Sequence, residues 1–209
     1  MDTYATLRVN LDAGVARVTI DNPPVNVLDV ALMTDLRHLL TALRDDDEVR
    51  VVVFDSADPE FFIAHVDMGL GEDDVAGLSV DLPDGVNAFQ VVGELLRHQP
   101  QVTIVKLAGI ARGGGAEFVV AADMAFAAVG RAGLGQVEAL MGIVPGGGGT
   151  QYLASRIGRN RALEVVLGAA LHDAETAERY GWVNRRFRPT SWTASSTGWP
   201  ATSPRCRKG

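Results

Sequence analysis

Two short β-rich runs, "YATLRVN" and "VARVTI", stand either side of Asp12, Ala13 and Gly14, and turn residues between alternating runs predict a hairpin. "DNPPVN" then breaks the pattern. From Asp29, a residue suited to cap a helix, Leu32, Leu36, Leu39, Leu40 and Leu43 recur on one helical face before the acidic "RDDDE", a solvated connection. "VRVVVFDS" is an almost unbroken β-branched run of the kind buried in a parallel sheet. The loop "ADPEFFIAHVDM" follows, then a helix over about residues 86–97 and a second buried strand, "VTIVKLA". Further on, "GGGGTQYLASRIG", "NRALEVVLG" and "DAETAERYG" predict three helices, the last capped by Asp173, and "WVNRRF" a short strand.

Strand and helix in alternation, with strands of the buried type, predict an α/β domain with parallel pairing. Sites in such folds gather beyond strand ends. The loops "FFIAHVDM" and "GIARGGGAE" each follow a buried strand, so if those strands are neighbours the two loops meet at one edge.

Composition sharpens this picture. At 209 residues and 47% hydrophobic, the chain can bury one substantial core, assigned to residues 1–189. No window approaches 18 consecutive apolar residues and "MDTYATLRVN" lacks the marks of a signal peptide, which predicts a cytoplasmic protein with no membrane partner. The single cysteine, Cys206, leaves no intrachain disulfide framework and no multi-cysteine metal site, and no metal is expected. A net charge of −7 argues against a nucleic-acid partner. All 26 acids lie before residue 179, and the last twenty residues, "TSWTASSTGWPATSPRCRKG", are a basic tail rich in Ser, Thr, Pro and Trp, with neither helical nor strand periodicity.

The chemistry concentrates in "GIARGGGAEFVVAADM", where three glycines precede an apolar helix carrying one acid, Glu117. Glycines at a helix start let backbone N–H groups approach a ligand oxygen, with the helix N-terminus adding partial positive charge. Close packing of helix on strand explains such glycines equally well. Neither Gly-Lys-Ser/Thr nor G-x-G-x-x-G can be drawn here, so the familiar phosphate loops are not supported. A carboxylate in that setting, if buried, has a raised pKa suited to proton transfer, although the dipole favours Glu in a first turn in any case. "GLGQVEALMGIVPGGGGTQ" repeats the arrangement with Glu138 and a second glycine run, making an acid/base pair conceivable.

Together "NPPVNVLD", "FFIAHVDM", "GIARGGGAEFVVAADM", "GQVEALMGIVPGGGGTQYLASRIG" and "DAETAERYGWVN" resemble the crotonase (enoyl-CoA hydratase/isomerase) superfamily over about residues 4–188. The resemblance implies a spiral of ββα repeats, an acyl-CoA thioester as substrate, no cofactor beyond the coenzyme A of that thioester, and assembly as a homotrimer or dimer of trimers. It implies an oxyanion hole of two backbone N–H groups at Ala64 and Gly114. Glu117 and Glu138 match the two glutamates that handle water in the hydratases. Ala64, His65, Val66 and Asp67 match the segment along the CoA adenine and pantetheine arm, and Gly113, Gly114, Pro145 and Gly146 complete the substrate-binding set. His65 departs from the pattern, since many members carry glycine there; it contacts solvent and the loop, CoA phosphate or the acyl pocket. The match stops near Pro189, where members usually continue with helices that help cover the CoA site. Hydration of a 2-enoyl-CoA is the expected reaction. The alternatives are isomerisation or other enolate chemistry on an acyl-CoA, and a catalytically silent acyl-CoA binder.

Overall fold

Ala13 and Gly14 take φ of 48° and 79°, the left-handed backbone of a two-residue hairpin turn whose twist suits its strands. The computed structural model describes residues 3–78 and 85–188. The hairpin joins β1 (Leu7–Asp12) to β2 (Val15–Ile20), so Asp12 belongs to the strand and pairs with Val15 rather than lying in the turn. Asp29 caps α1 (Val30–Arg44), its Oδ1 accepting from the Leu32 N–H at 2.8 Å, and the five periodic leucines are all buried. Next come β3 (Val51–Ser56), β4 (Phe61–Ile63), α2 (Glu72–Val75) and α3 (Val91–Arg97), the last entered through a 3-10 turn at Ala88–Gln90. The chain continues with β5 (Val102–Leu107), β6 (Ile110–Arg112), α4 (Gly114–Ala121), β7 (Met124–Ala128) and β8 (Gly133–Gly135). After a 3-10 turn at Glu138–Met141 follow α5 (Gly149–Ile157), α6 (Arg159–Gly168), β9 (His172–Asp173), α7 (Ala174–Tyr180) and β10 (Arg185–Phe187).

The strands divide between two sheets. One has the order β1-β2-β3-β5-β7-β10, parallel from β2 onward; the other has the order β4-β6-β8-β9, parallel except at β9. In β3/β4, β5/β6 and β7/β8 the first strand enters the large sheet and the second the small one. Helices follow each pair, which is the ββα repeat that the resemblance implies. β3 and β5 are direct neighbours, and β4 lies beside β6, so the loops after them do meet at one edge.

Phe118 of α4 ties that edge to both sheets. Its ring meets Phe54 of β3 edge-on at 5.2 Å and Phe62 of β4 at 5.8 Å. Burying each such side chain contributes roughly 1.5–3 kcal/mol, and the paired rings fix the roll of α4 about its axis. Asn26, buried in the former "DNPPVN" break, donates through Nδ2 to Ser56 Oγ at 2.9 Å and to the Phe62 carbonyl at 3.2 Å, which anchors β4 from the other side. The tail assigned to residues 190–209, with its missing or altered C-terminal helices, lies outside the described residues.

Candidate active site

The packing explanation of the first glycine run holds. A Cβ at Gly115 would stand 2.3 Å from the Ile63 carbonyl oxygen, and one at Gly114 would stand 2.3 Å from Val66 Cγ2, so packing alone requires glycine at each. Gly113 has φ +51° and donates its N–H to the Gly135 carbonyl at 2.9 Å, which sets the start of α4 against β8. All eight residues of α4 are buried, Glu117 included at 5% exposure. Its Oε1 accepts the N–H groups of Gly147 and Gly149, each at 2.8 Å. Burial pushes its carboxyl up to about 7; the Gly149 and Gly147 donors pull the other way, and the charge of Glu138 adds to the rise.

Glu138 opens the 3-10 turn after β8 and is 7% exposed. Burial raises its pKa as well, opposed by the backbone N–H groups of Glu138 and Val137. A Cβ at Gly113 would lie 3.1 Å from Glu138 Oε1, and one at Gly147 would lie 2.6 Å from Glu117 Oε2. Bare backbone thus leaves room for both carboxylates, which line one cavity of about 220 Å³. Its remaining wall is mainly apolar, with Met68, Leu70, Phe89, Met141, Ile143 and Val144. A smaller recess of about 20 Å³ adjoins it past Glu117, between Leu28, Val92 and Phe118.

The loop after β4 supplies the facing edge. His65, Val66 and Asp67 line the cavity. His65 Nδ1 lies 2.7 Å from the Val66 carbonyl oxygen, and Asp67 Oδ1 accepts the Gly69 N–H at 2.8 Å. Ala64, expected as an oxyanion donor, is 1% exposed and outside the cavity lining, with its carbonyl accepting from Arg112 Nε at 3.2 Å. Val66, two residues on, does line the cavity. Leu28 and Val66 form a parallel bridge in which Leu28 donates to the His65 carbonyl and Asp67 donates to the Leu28 carbonyl. Such a bridge turns the Val66 N–H away from Leu28, while the Gly114 N–H belongs to the helix turn that has no intrahelical acceptor. Both residues line the cavity. Gly146 lines it too, and its carbonyl accepts from Asn87 Nδ2 at 3.2 Å; Pro145 is buried behind, in reach of the Gly149 position.

Sequence reasoning missed the second layer around this centre. Tyr152 packs its ring on Gly148, donates to Glu94 and lies 4.5 Å beneath the Arg97 guanidinium, which braces the second glycine run against α3. Burial and the neighbouring Glu94 raise its pKa. Phe89 and Met141, in the apolar wall, carried no signal beyond ordinary hydrophobicity. Among the described residues no group of three His, Cys, Asp or Glu could hold a metal ion, and no helix is long and apolar enough to cross a membrane.

Comparison with known proteins defines the class. The model of the enoyl-CoA hydratase/isomerase family matches residues 10–191. A Mycobacterium tuberculosis protein named as a probable enoyl-CoA hydratase is 32% identical over 184 residues, 88% of this chain and 69% of its own. Among solved structures, a Streptomyces avermitilis protein proposed to be an enoyl-CoA hydratase superposes with a TM-score of 0.87 at 68% identity, covering 89% of this chain and 69% of that one. The enoyl-CoA hydratase of Bacillus anthracis gives a TM-score of 0.79 at 30% identity, covering 88% and 70%. The chain belongs to the enoyl-CoA hydratase/isomerase family. It is a hydratase-like lyase of the crotonase fold, an enzyme that processes acyl-CoA.

Proposed function

We propose that the protein adds water across the double bond of a 2-enoyl-CoA, with Glu117 and Glu138 jointly handling the water and its protons. The observation that carries this reading is the pair of buried carboxylates facing one cavity, one of them poised at about 7. The thioester carbonyl sits against the N–H groups of Gly114 and Val66, which stabilise the negative charge that develops on its oxygen as the new C–O bond forms at C3. A water proton passes to one carboxylate while the other delivers a proton to C2, so the pair ends with the same number of protons as it began. Its active form is the singly protonated pair, and activity falls on both sides of neutrality. The apolar wall takes the acyl chain, and the run from His65 to Asp67 lies along the CoA arm. No cofactor is needed beyond the CoA of the substrate.

Crotonyl-CoA supplies the test. Loss of enoyl absorbance, with 3-hydroxybutyryl-CoA as the product, supports hydration; a shifted double bond in a longer enoyl-CoA, with no hydroxyl product, replaces it with isomerisation. Tight CoA-ester binding without turnover across an acyl-chain panel makes the protein a silent binder. The homotrimer or dimer of trimers belongs to the same reading and is measured by light scattering on the enzyme used in the assay.

A further inference from the structure

Gln136 is the most deeply buried polar side chain near the cavity, at 0% exposure, and nothing in the reaction above uses it. It follows β8 directly and stands two residues before Glu138. Its amide orientation is settled by its neighbours: with Nε2 toward Glu138 it donates to both carboxylate oxygens, at 3.0 Å each, and its oxygen then faces donors. The reverse orientation sets oxygen against oxygen. The other end of the amide lies at α5, where a Cβ on Gly149 would come within 2.9 Å of it. Gly149 is the residue whose N–H holds Glu117. Gln136 therefore sits between the supports of the two carboxylates.

We propose that Gln136 is a positioning residue for the water-handling pair, fixing the Glu138 carboxylate by a two-point amide contact and favouring its charged form. The inference rests on Glu138 being one of the two working carboxylates. An amide N–H shared between the two oxygens of one carboxylate restricts its rotation and stabilises its charge, offsetting part of the burial that acts against it. A buried amide that merely filled space would leave its polar atoms unpaired, which is costly. The titratable groups facing the same cavity are Glu117 from α4 and His65 and Asp67 from the loop after β4. The 3-10 turn also packs against α6, whose charged residues Arg159, Arg161 and Glu164 are exposed; Arg161 donates to the Tyr180 carbonyl and Glu164 accepts from the Tyr180 hydroxyl.

Gln136→Met keeps the volume and removes the amide donor, while Gln136→Glu keeps the shape and sets a second carboxyl against Glu138. Crotonyl-CoA hydration is measured against pH for both, alongside thermal unfolding. The expected result for Gln136→Met is a kcat about tenfold lower, a KM changed less than about threefold, and an acid limb of the pH profile moved up by about one unit. Gln136→Glu moves the same limb further and carries the test should Gln136→Met fail to fold. Limbs that stay at their wild-type positions, with any loss of activity tracking loss of stability, overturn the proposal. Glu138→Gln separates the two levels: full activity there removes the underlying reading, whereas an inactive Glu138→Gln with an unmoved Gln136 profile removes the positioning role alone.

Discussion

The two glycine runs look alike on paper and do different work. In the first, Gly114 and Gly115 are fixed by close approach to Val66 and the Ile63 backbone, so their absent side chains let α4 seat against the small sheet. In the second, Gly147 faces a carboxylate, and the backbone of Gly147 and Gly149 turns two N–H groups onto Glu117. One run is a packing joint that places an acid, and the other a hydrogen-bonding collar that tunes it. Identical residues thus serve opposite ends of one interaction, and only their neighbours tell them apart.

That contrast breaks most sharply at Gly147. Gly147→Ala sets a Cβ 2.6 Å from Glu117 Oε2 and 3.3 Å from the Phe89 carbonyl oxygen, so the carboxylate is the first group displaced. The expected loss is about 10²-fold in kcat/KM for crotonyl-CoA with little change in thermal stability. Gly115→Ala reverses the outcome. Its Cβ meets backbone that cannot yield, and overpacking there costs about 3 kcal/mol, seen as a Tm lower by roughly 6–12 °C.

A smaller effect, of opposite sign, is expected at Glu117. Its folded pKa of about 7 lies above the unfolded value, so the folded state binds the extra proton and wild-type stability falls as pH rises from about 4 to about 7. Glu117→Gln removes the buried charge and keeps an acceptor for the glycine donors. It should raise stability by about 1–3 kcal/mol at pH 8 and by almost nothing at pH 4, as read by urea unfolding at both values. The weakest effect belongs to Gly168→Ala, away from the cavity, whose Cβ meets nothing within 4 Å; hydration should stay within about twofold of wild type.

Much of this was legible from residues with strong local signatures. Asp29 and Asp173 announced their helices because capping is a short-range interaction, and both carboxylates accept the N–H three residues on. Glu117 and Glu138 stood out as acids set in apolar and glycine-rich surroundings. The strands Phe61–Ile63, Ile110–Arg112 and Gly133–Gly135 did not, since three residues are too few to show a period of two, and Met124–Ala128 is Ala-rich. Those strands form the small sheet or feed it, so its existence had to come from tertiary pairing. The loop after β4 shows the same gap. Which N–H of an irregular loop faces the cavity depends on the Leu28–Val66 bridge, a contact between segments far apart in sequence. Gln136 gave no signal either, because an amide in a glycine-rich strand is chemically silent until its partner is known.

In the proposed reaction Glu117 and Glu138 act as one unit on one water. Measuring crotonyl-CoA hydration for Glu117→Gln, Glu138→Gln and the double variant tests it directly. Each single change should cost about 10²- to 10⁴-fold, and the double should be no worse than the more damaged single by more than a few-fold. Losses that multiply in the double variant, or activity that survives either single change, would contradict it.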